Sequence, residues 1–397
     1  MIEPVLSRSS SPPPISLPAL FGQFLRFGCA AFGGPVAQIA MVRAALVDQQ
    51  GWISKERFNR LLAVFQVLPG PEAHELCVHL GMIARGRLGG VLAGLGFMLP
   101  GLVLMMVAGW LYTSVVSGIA GIGGVLLGVQ IVVLAIIARA VVRIGQHIIE
   151  DRLLAAIAVA GLAAALAGLP FWITLAAAGA CYALWARPAL VALVLAGAAA
   201  LALLLRGAAS ADPIAVAQAP ATVLALFVAG LKGGLLTFGG AYTAIPYVRA
   251  DTVGRGWLSD ATFLDGVAIA GVLPAPLVIF ATFTGYVAGG PVGALAITAG
   301  MFLPAFAFSL LFFERLEAVV ENPALHRLLA VVAAAVVGII AATLFELAAA
   351  TAPRVTQPPV GLVLFAVGLV AAWRLKGLWV PILLIALGAA AGALLPI

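Results

Sequence analysis

Phe32-Gly33-Gly34-Pro35, Gly51-Trp52, Leu68-Pro69-Gly70-Pro71, Gly81 and Leu99-Pro100 recur in order later in the chain. The second set reads Phe238-Gly239-Gly240-Ala241, Gly256-Trp257, Leu273-Pro274-Ala275-Pro276, Gly285 and Leu303-Pro304. The offset drifts only from 206 at Phe32/Phe238 to 204 at Pro100/Pro304. Landmarks kept in order over such a length mark an internal duplication, and a repeat of this kind decides the architecture before any single element does.

Working outward, these landmarks interrupt strongly apolar segments. Proline removes a backbone donor and clashes with the preceding helical turn, and paired glycines disfavour a helix. In a bilayer such breaks persist only where protein or a water-filled cavity satisfies the freed backbone groups. Broken helices at matching places in two halves point to a transporter's binding site.

Composition agrees. Of 397 residues 64% are hydrophobic and 9% charged, against roughly 25% charged in soluble domains. An integral membrane protein follows, with the lipid bilayer as its surroundings. The net charge of +6 is spread over segment ends, which fits membrane orientation and not a nucleic-acid surface. Cys29, Cys77 and Cys181 are unclustered, so neither a disulfide framework nor a zinc site is expected; all three read as small hydrophobes in apolar helices. Residues 1–18 are Ser/Pro-rich without an apolar core and read as a disordered cytoplasmic tail, not a secretory signal. No cofactor and no soluble catalytic domain is expected.

A spanning helix needs about 20 apolar residues. Segments of that kind fall near 20–45, 58–84, 89–113, 119–145, 152–168, 170–187 and 188–206, then near 219–248, 262–288, 291–313, 326–350, 359–374 and 376–396. The expected fold is an all-α polytopic membrane protein of about 13 membrane segments, built from two homologous halves. Residues 19–187 form the first repeat, 188–218 a linking helix and loop, and 219–397 the second repeat. Seven segments before the second copy make the halves inverted in topology. With the N-terminus in the cytoplasm most basic residues fall inside, Arg85, Arg87, Arg139, Arg143 and Arg374 among them. The 43–60 loop, with Arg43, Lys55, Arg57 and Arg60, is the exception. It moves inside if the motif segments are re-entrant hairpins; central breaks in full spans remain the other possibility.

Candidate site residues cluster at the breaks. Arg26 and Lys232 each stand six residues ahead of their Phe-Gly-Gly, and a charge inside a membrane segment faces a cavity or a partner. They read as symmetric cations for an anion, or as side chains snorkelling to the interface. Arg43 and Arg249 also match, at helix ends, and read as interfacial anchors. Backbone N–H groups freed at the breaks bind oxyanions well. Glu72, His74 and Glu75 follow Pro71 directly; the two carboxylates share a helical face and His titrates near neutral pH. They are proton-coupling candidates, with a satisfied structural network as the plainer account. The second copy has Leu277, Ile279 and Phe280 there, so coupling would be asymmetric. His74 and His79 are five apart, wrong for two ligands of one metal. Gln66 and Tyr242 are candidate substrate contacts, Gln38 and Thr243 polar neighbours of the breaks. Glu346, alone in an apolar helix, calls for an arginine partner.

On these residues the sequence resembles the chromate ion transporter family in its long two-domain form. The resemblance rests on Phe32-Gly33-Gly34-Pro35, Trp52, Gln66, Pro69-Gly70-Pro71, Gly81 and Leu99-Pro100, and again on Phe238-Gly239-Gly240, Pro246, Trp257, Pro274-x-Pro276 and Ala281 to Tyr286. It implies export of chromate across the bacterial inner membrane, driven by the proton gradient or membrane potential, with sulfate as the look-alike oxyanion. The substrate-binding set is then Arg26, Phe32, Gly33, Gly34, Pro35, Gln66, Pro69, Gly70, Pro71, Lys232, Phe238, Gly239, Gly240, Tyr242, Pro274 and Pro276. Ala275 departs from the family's Pro-Gly-Pro, and a Cβ there limits backbone approach to a ligand. The alternatives are a carrier of sulfate or another anion, an anion channel, and a membrane enzyme, for which no catalytic constellation exists beyond Glu72, His74 and Glu75. A homo-oligomer is compatible with the sequence, which does not specify one.

Overall fold

The computed structural model describes residues 14–32, 34–65, 68–116, 119, 122–169, 171–184, 187, 189–197, 200–201, 220–237, 241–311, 323–375 and 379–394. Among these the regular structure is helical throughout. The first repeat runs α1 (Leu17–Cys29), α2 (Gly34–Val42) continuing into a π-helical turn (Arg43–Gln49), α3 (Lys55–Phe65), α4 (Glu72–Ser114), α5 (Ile122–Ile148), α6 (Arg152–Leu166) and α7 (Phe171–Ala183). The second runs α8 (Val223–Leu235), α9 (Ala244–Thr252), α10 (Asp260–Val272), α11 (Phe280–Leu311), α12 (Pro323–Thr351), α13 (Pro358–Arg374) and α14 (Val380–Leu394).

The duplication is visible down to caps and dihedrals. Ser16 and Thr222 cap α1 and α8, each accepting from the backbone N–H three residues on; Ser54 and Ser259 do so for α3 and α10. Such caps satisfy N–H groups that a helix start leaves orphaned. The backbone N–H of Trp52 donates to the carbonyl of Leu46, and that of Trp257 to Thr252. Most telling, α4 and α11 fold back on themselves at the same place. Arg85 and Gly86 have φ/ψ of −144°/30° and 62°/−160°, and Gly289 and Gly290 have −146°/21° and 65°/−160°. Only glycine adopts the second conformation cheaply. The arms press together because Gly81 abuts Gly89 and Gly285 abuts Gly293, where any Cβ would meet a carbonyl at about 2.5 Å.

The expected segments 20–45 and 58–84 are not continuous helices. α1 ends at Cys29 and α3 at Phe65; at 1.5 Å per residue the 13 residues of α1 cover roughly 20 Å, against a hydrocarbon core of about 30 Å. The chain after the first break folds back along α1: the side-chain amide of Gln23 donates to Gln50 at 3.1 Å, and Trp52 packs edge-on against Phe24. The guanidinium of Arg85 reaches the carbonyl of Ile15, so the α4 turn lies at the level where α1 begins. Among the described residues four helices are long and apolar enough to cross a membrane: Glu72–Ser114, Ile122–Gln146, Leu277–Leu311 and Ala330–Arg354. Five shorter apolar helices accompany them. The protein is an all-α, multi-pass membrane protein.

The repeats interleave. α5 of the first packs on α13 and α14 of the second, while α12 of the second packs on α6 and α7 of the first. Close approach uses small residues: a Cβ at Gly128 would stand 2.1 Å from the carbonyl oxygen of Gly388, and one at Gly338 2.1 Å from that of Ala158. Of the three cysteines, Cys77 is buried as expected, Cys181 is half-buried and Cys29 is exposed at the end of α1.

Candidate functional site

The interleaving carries the broken segments to each other across the repeats. The N–H of Gly70, in the first Pro-Gly-Pro, donates to the carbonyl of Thr237, immediately before the second Phe-Gly-Gly, at 2.8 Å. Conversely Gln38 of α2, just past the first Phe-Gly-Gly, donates through Nε2 to the carbonyls of Ala31 at 2.8 Å and Ala275 at 2.9 Å. Each repeat's first break therefore meets the other's second break. The two junctions are pseudo-equivalent.

Their packing is complementary as well. A Cβ built on Gly101 would stand 2.3 Å from the Cβ of Ala275, and one on Gly70 stands 3.5 Å from the Cβ of Ala305. Pro100-Gly101 and Pro304-Ala305 match in the duplication, so each junction sets one glycine against one alanine. The departure at Ala275 is thus accommodated by Gly101. Gly70 has φ +147°, where an L side chain is strained; at Ala275 the backbone does not turn positive. Pro71, Pro274 and Pro276 are buried, while Phe32, Gly34, Pro35, Pro69 and Tyr242 are half-buried. Gly33, Gln66, Phe238, Gly239 and Gly240 lie outside the described residues.

The acidic cluster belongs to one junction only. Glu72 opens α4 and is 8% exposed; His74 and Glu75 are fully buried. The Glu75 carboxylate lies at Gly70, with Oε1 2.6 Å from where a Cβ would be, and neither of its oxygens has a hydrogen-bond partner among the described residues. A buried carboxylate without partner is costly unless it takes up a proton or cation. His74 sits between Phe302 and Phe306, ring centroids 4.9 and 4.8 Å away. Its Nε2 lies 3.2 Å from the carbonyl of Gly94, which can only accept, so the proton is on Nε2. The hydroxyl of Ser309 donates to the Glu75 carbonyl at 3.4 Å. No grouping of three or more His, Cys, Asp or Glu suited to a metal occurs among the described residues.

The two matched cations are not equivalent. Lys232 lies 2.7 Å from Asp251, which Arg255 also holds at 3.1 Å. Arg249 grips Asp260 through two nitrogens at 2.6 and 3.1 Å and also pairs with Glu346, the arginine partner that residue requires. At offsets of 205, 205 and 204 the first repeat has Leu46, Lys55 and Val142 in place of those three carboxylates. Arg26 accordingly stands exposed, with no ion pair among the described residues, and Arg43 meets Asp48 at 3.9 Å and the face of Phe58. Breaking a well-buried pair costs about 3–5 kcal/mol; Asp251 is 6% exposed, but its Lys232 partner remains partly solvated, so about half that is expected. Lys232→Met should lower the melting temperature of the detergent-purified protein, and Lys232→Arg, which keeps a cation beside Asp251, should restore most of it. Arg26→Met should leave the melting temperature unchanged and raise the KM for the transported anion.

A further buried polar network links the two repeats. Asp265, 2% exposed on α10, accepts from the hydroxyl of Tyr112 at 2.8 Å and the amide of Gln130 at 2.7 Å, and Arg354 donates to Gln130 at 2.7 Å. Asp265, inside the otherwise apolar 263–272 run, was its sequence signal. It ties α4 and α5 of the first repeat to α10 and the end of α12 of the second.

Comparison with known proteins closes on the same two-part organisation. The family model described as chromate transporter matches twice in succession, over residues 18–222 and 224–393. A chromate transport protein of Pseudomonas aeruginosa is 57% identical over 97% of this chain and 94% of its own. One from Cupriavidus metallidurans is 30% identical over 85% of this chain and 84% of its own. A probable chromate transport protein of Synechococcus elongatus is 27% identical over 96% of both. No solved structure matches. With two matched copies spanning nearly its whole length, the chain belongs to the chromate transporter family.

Proposed function

We propose that this protein is a secondary active transporter that exports chromate across the bacterial inner membrane, driven by the proton gradient or membrane potential. The observation that carries the proposal is the crossing of the four helix breaks, through Gly70 to Thr237 and Gln38 to Ala275. It joins broken segments of the two repeats at two pseudo-equivalent junctions, one of which packs on Gly101 in the long arm of α4. Backbone N–H groups at such ends suit a tetrahedral oxyanion. Substrate contacts fall to the segments 32–35, 66–71, 238–242 and 274–276, with Arg26 supplying a side-chain cation while Lys232 holds Asp251. Glu75, flanked by Glu72 and His74, is the proton-coupling group. The chromate transport proteins among the relatives support the substrate.

The contacts of Gln23 with Gln50 and of Phe24 with Trp52 support a topology for this transporter. The motif segments are re-entrant hairpins, because the chain after each first break returns toward where it entered. The two repeats, 19–187 and 219–397, joined by 188–218, are then inverted in the membrane, with the N-terminus cytoplasmic. The test is labelled chromate uptake into everted membrane vesicles energised by a respiratory substrate. Energy-dependent uptake above that of vesicles lacking the protein is expected. Its absence removes chromate export and leaves the fold untouched.

A further inference from the structure

The two junctions are related by the duplication yet differ in charge. At the Pro-Gly-Pro junction, Glu72 and Glu75 bring two carboxylates to the N-terminus of α4. A carboxylate there opposes an anion unless it holds a proton, so this junction is where the anion and the proton are coupled. At the other junction the corresponding residues are Leu277, Val278, Ile279 and Phe280, opening a helical stretch that runs to Leu311. Among the described residues no carboxylate opens that stretch, and Arg26 lies on α1 just ahead of the same break. Among titratable groups on the elements that meet there, α1 also carries Cys29, and the π-helical turn after α2 carries Arg43 and Asp48. α4 has none between Arg87 and Tyr112; α11 has only Tyr286 among residues 280–311; Asp265 of α10 is held by Tyr112 and Gln130.

Gln38 gives this junction its chemistry. It is 1% exposed. Both of its donor bonds go to protein carbonyls, of Ala31 and Ala275, which fixes the amide with nitrogen toward the backbone. Its Oε1 is left buried and without a partner among the described residues. A buried acceptor beside an anion site repels a fully deprotonated oxyanion and attracts an acid hydroxyl. Chromate takes up a proton close to neutral pH; sulfate and selenate, of the same charge and shape, do so only in strong acid.

We propose that Gln38 selects the protonated, singly charged form of the oxyanion, its buried Oε1 accepting from the acid hydroxyl at the junction of the first Phe-Gly-Gly and the second Pro-x-Pro. This rests on the assignment of these junctions as the oxyanion site. A site that hydrogen-bonds a substrate hydroxyl rejects analogues lacking it, because its own buried group is then left unpaired. Gln38 is a specificity-determining residue: it discriminates against sulfate by what sulfate lacks.

The test is chromate uptake in everted vesicles across the neutral pH range, with selenate as competitor at each pH, so that titrations of the protein cancel in the ratio. For the native protein, the KM for total chromate relative to the inhibition constant of selenate should rise about tenfold per pH unit above the chromate protonation point. Gln38→Met, of similar size and without the acceptor, should flatten that dependence and narrow discrimination against selenate by about tenfold or more. A pH-independent ratio in the native protein overturns the inference while leaving the site assignment standing. Gln38→Met with unaltered discrimination overturns it too. If the native protein neither transports chromate nor is inhibited by selenate at any pH, the site assignment itself fails. If Gln38→Met does not reach the membrane, the native-protein ratio alone decides.

Discussion

Gly70→Ala is expected to reach the membrane and to lose at least about nine-tenths of its transport activity. Three features of the position act together. Its φ of +147° costs an L residue on the order of 1–3 kcal/mol. The new methyl would stand 2.6 Å from Oε1 and 2.9 Å from the carboxyl carbon of Glu75, so the carboxyl group must move. The N–H that reaches Thr237 across the repeats would shift with it. A perturbation of about 1.4 kcal/mol confined to the transport cycle is tenfold in rate, and the strain alone is of that size. Leucine, which adds bulk in the same tight space, should abolish transport altogether. Vesicle uptake normalised to protein in the membrane measures this; near-native uptake by Gly70→Ala would remove the Pro-Gly-Pro break from the site.

The second large effect is expected at Glu75. Glu75→Gln keeps the shape of the protonated carboxyl and removes the ability to release the proton. Since both carboxylate oxygens are buried and unpartnered, the neutral amide should fold as well as the native protein. Counterflow of chromate between equal concentrations should persist, because it needs no net proton movement. Accumulation driven by a pH gradient should fall to background, and the pH dependence of the remaining flux should flatten. Glu72→Gln, at the edge of the cluster and partly reachable by solvent, should show the smaller effect. A Glu75→Gln protein that still concentrates chromate against a pH gradient would assign the proton elsewhere, and Asp265 would be the next residue to examine.

Sequence and structure divide the site between them in a physically intelligible way. The breaks are local, written in residues that cannot continue a helix, and so they stand in the sequence at Pro69-Gly70-Pro71 and Pro274-Ala275-Pro276. The paired turns at Gly86 and Gly290 fall at gaps in the apolar run for the same reason. Partners are another matter. Arg26 and Lys232 look alike in the duplication, and nothing local tells that Asp251 claims one of them. Glu346 demanded a cation, but Arg249 lies 97 residues away. Gln38 reads locally as an ordinary polar neighbour of the break, yet its amide bridges to Ala275, 237 residues on.

By itself, then, the sequence determined a membrane protein of two related halves with four broken segments, because hydrophobicity and helix-breaking act over a few turns of chain. Only the tertiary structure decided that each break pairs with the other kind in the opposite repeat, and that the two junctions differ in charge. Which side chains meet depends on helices interleaving over hundreds of residues, through glycine seams such as Gly128 against Gly388. That packing has no local signature.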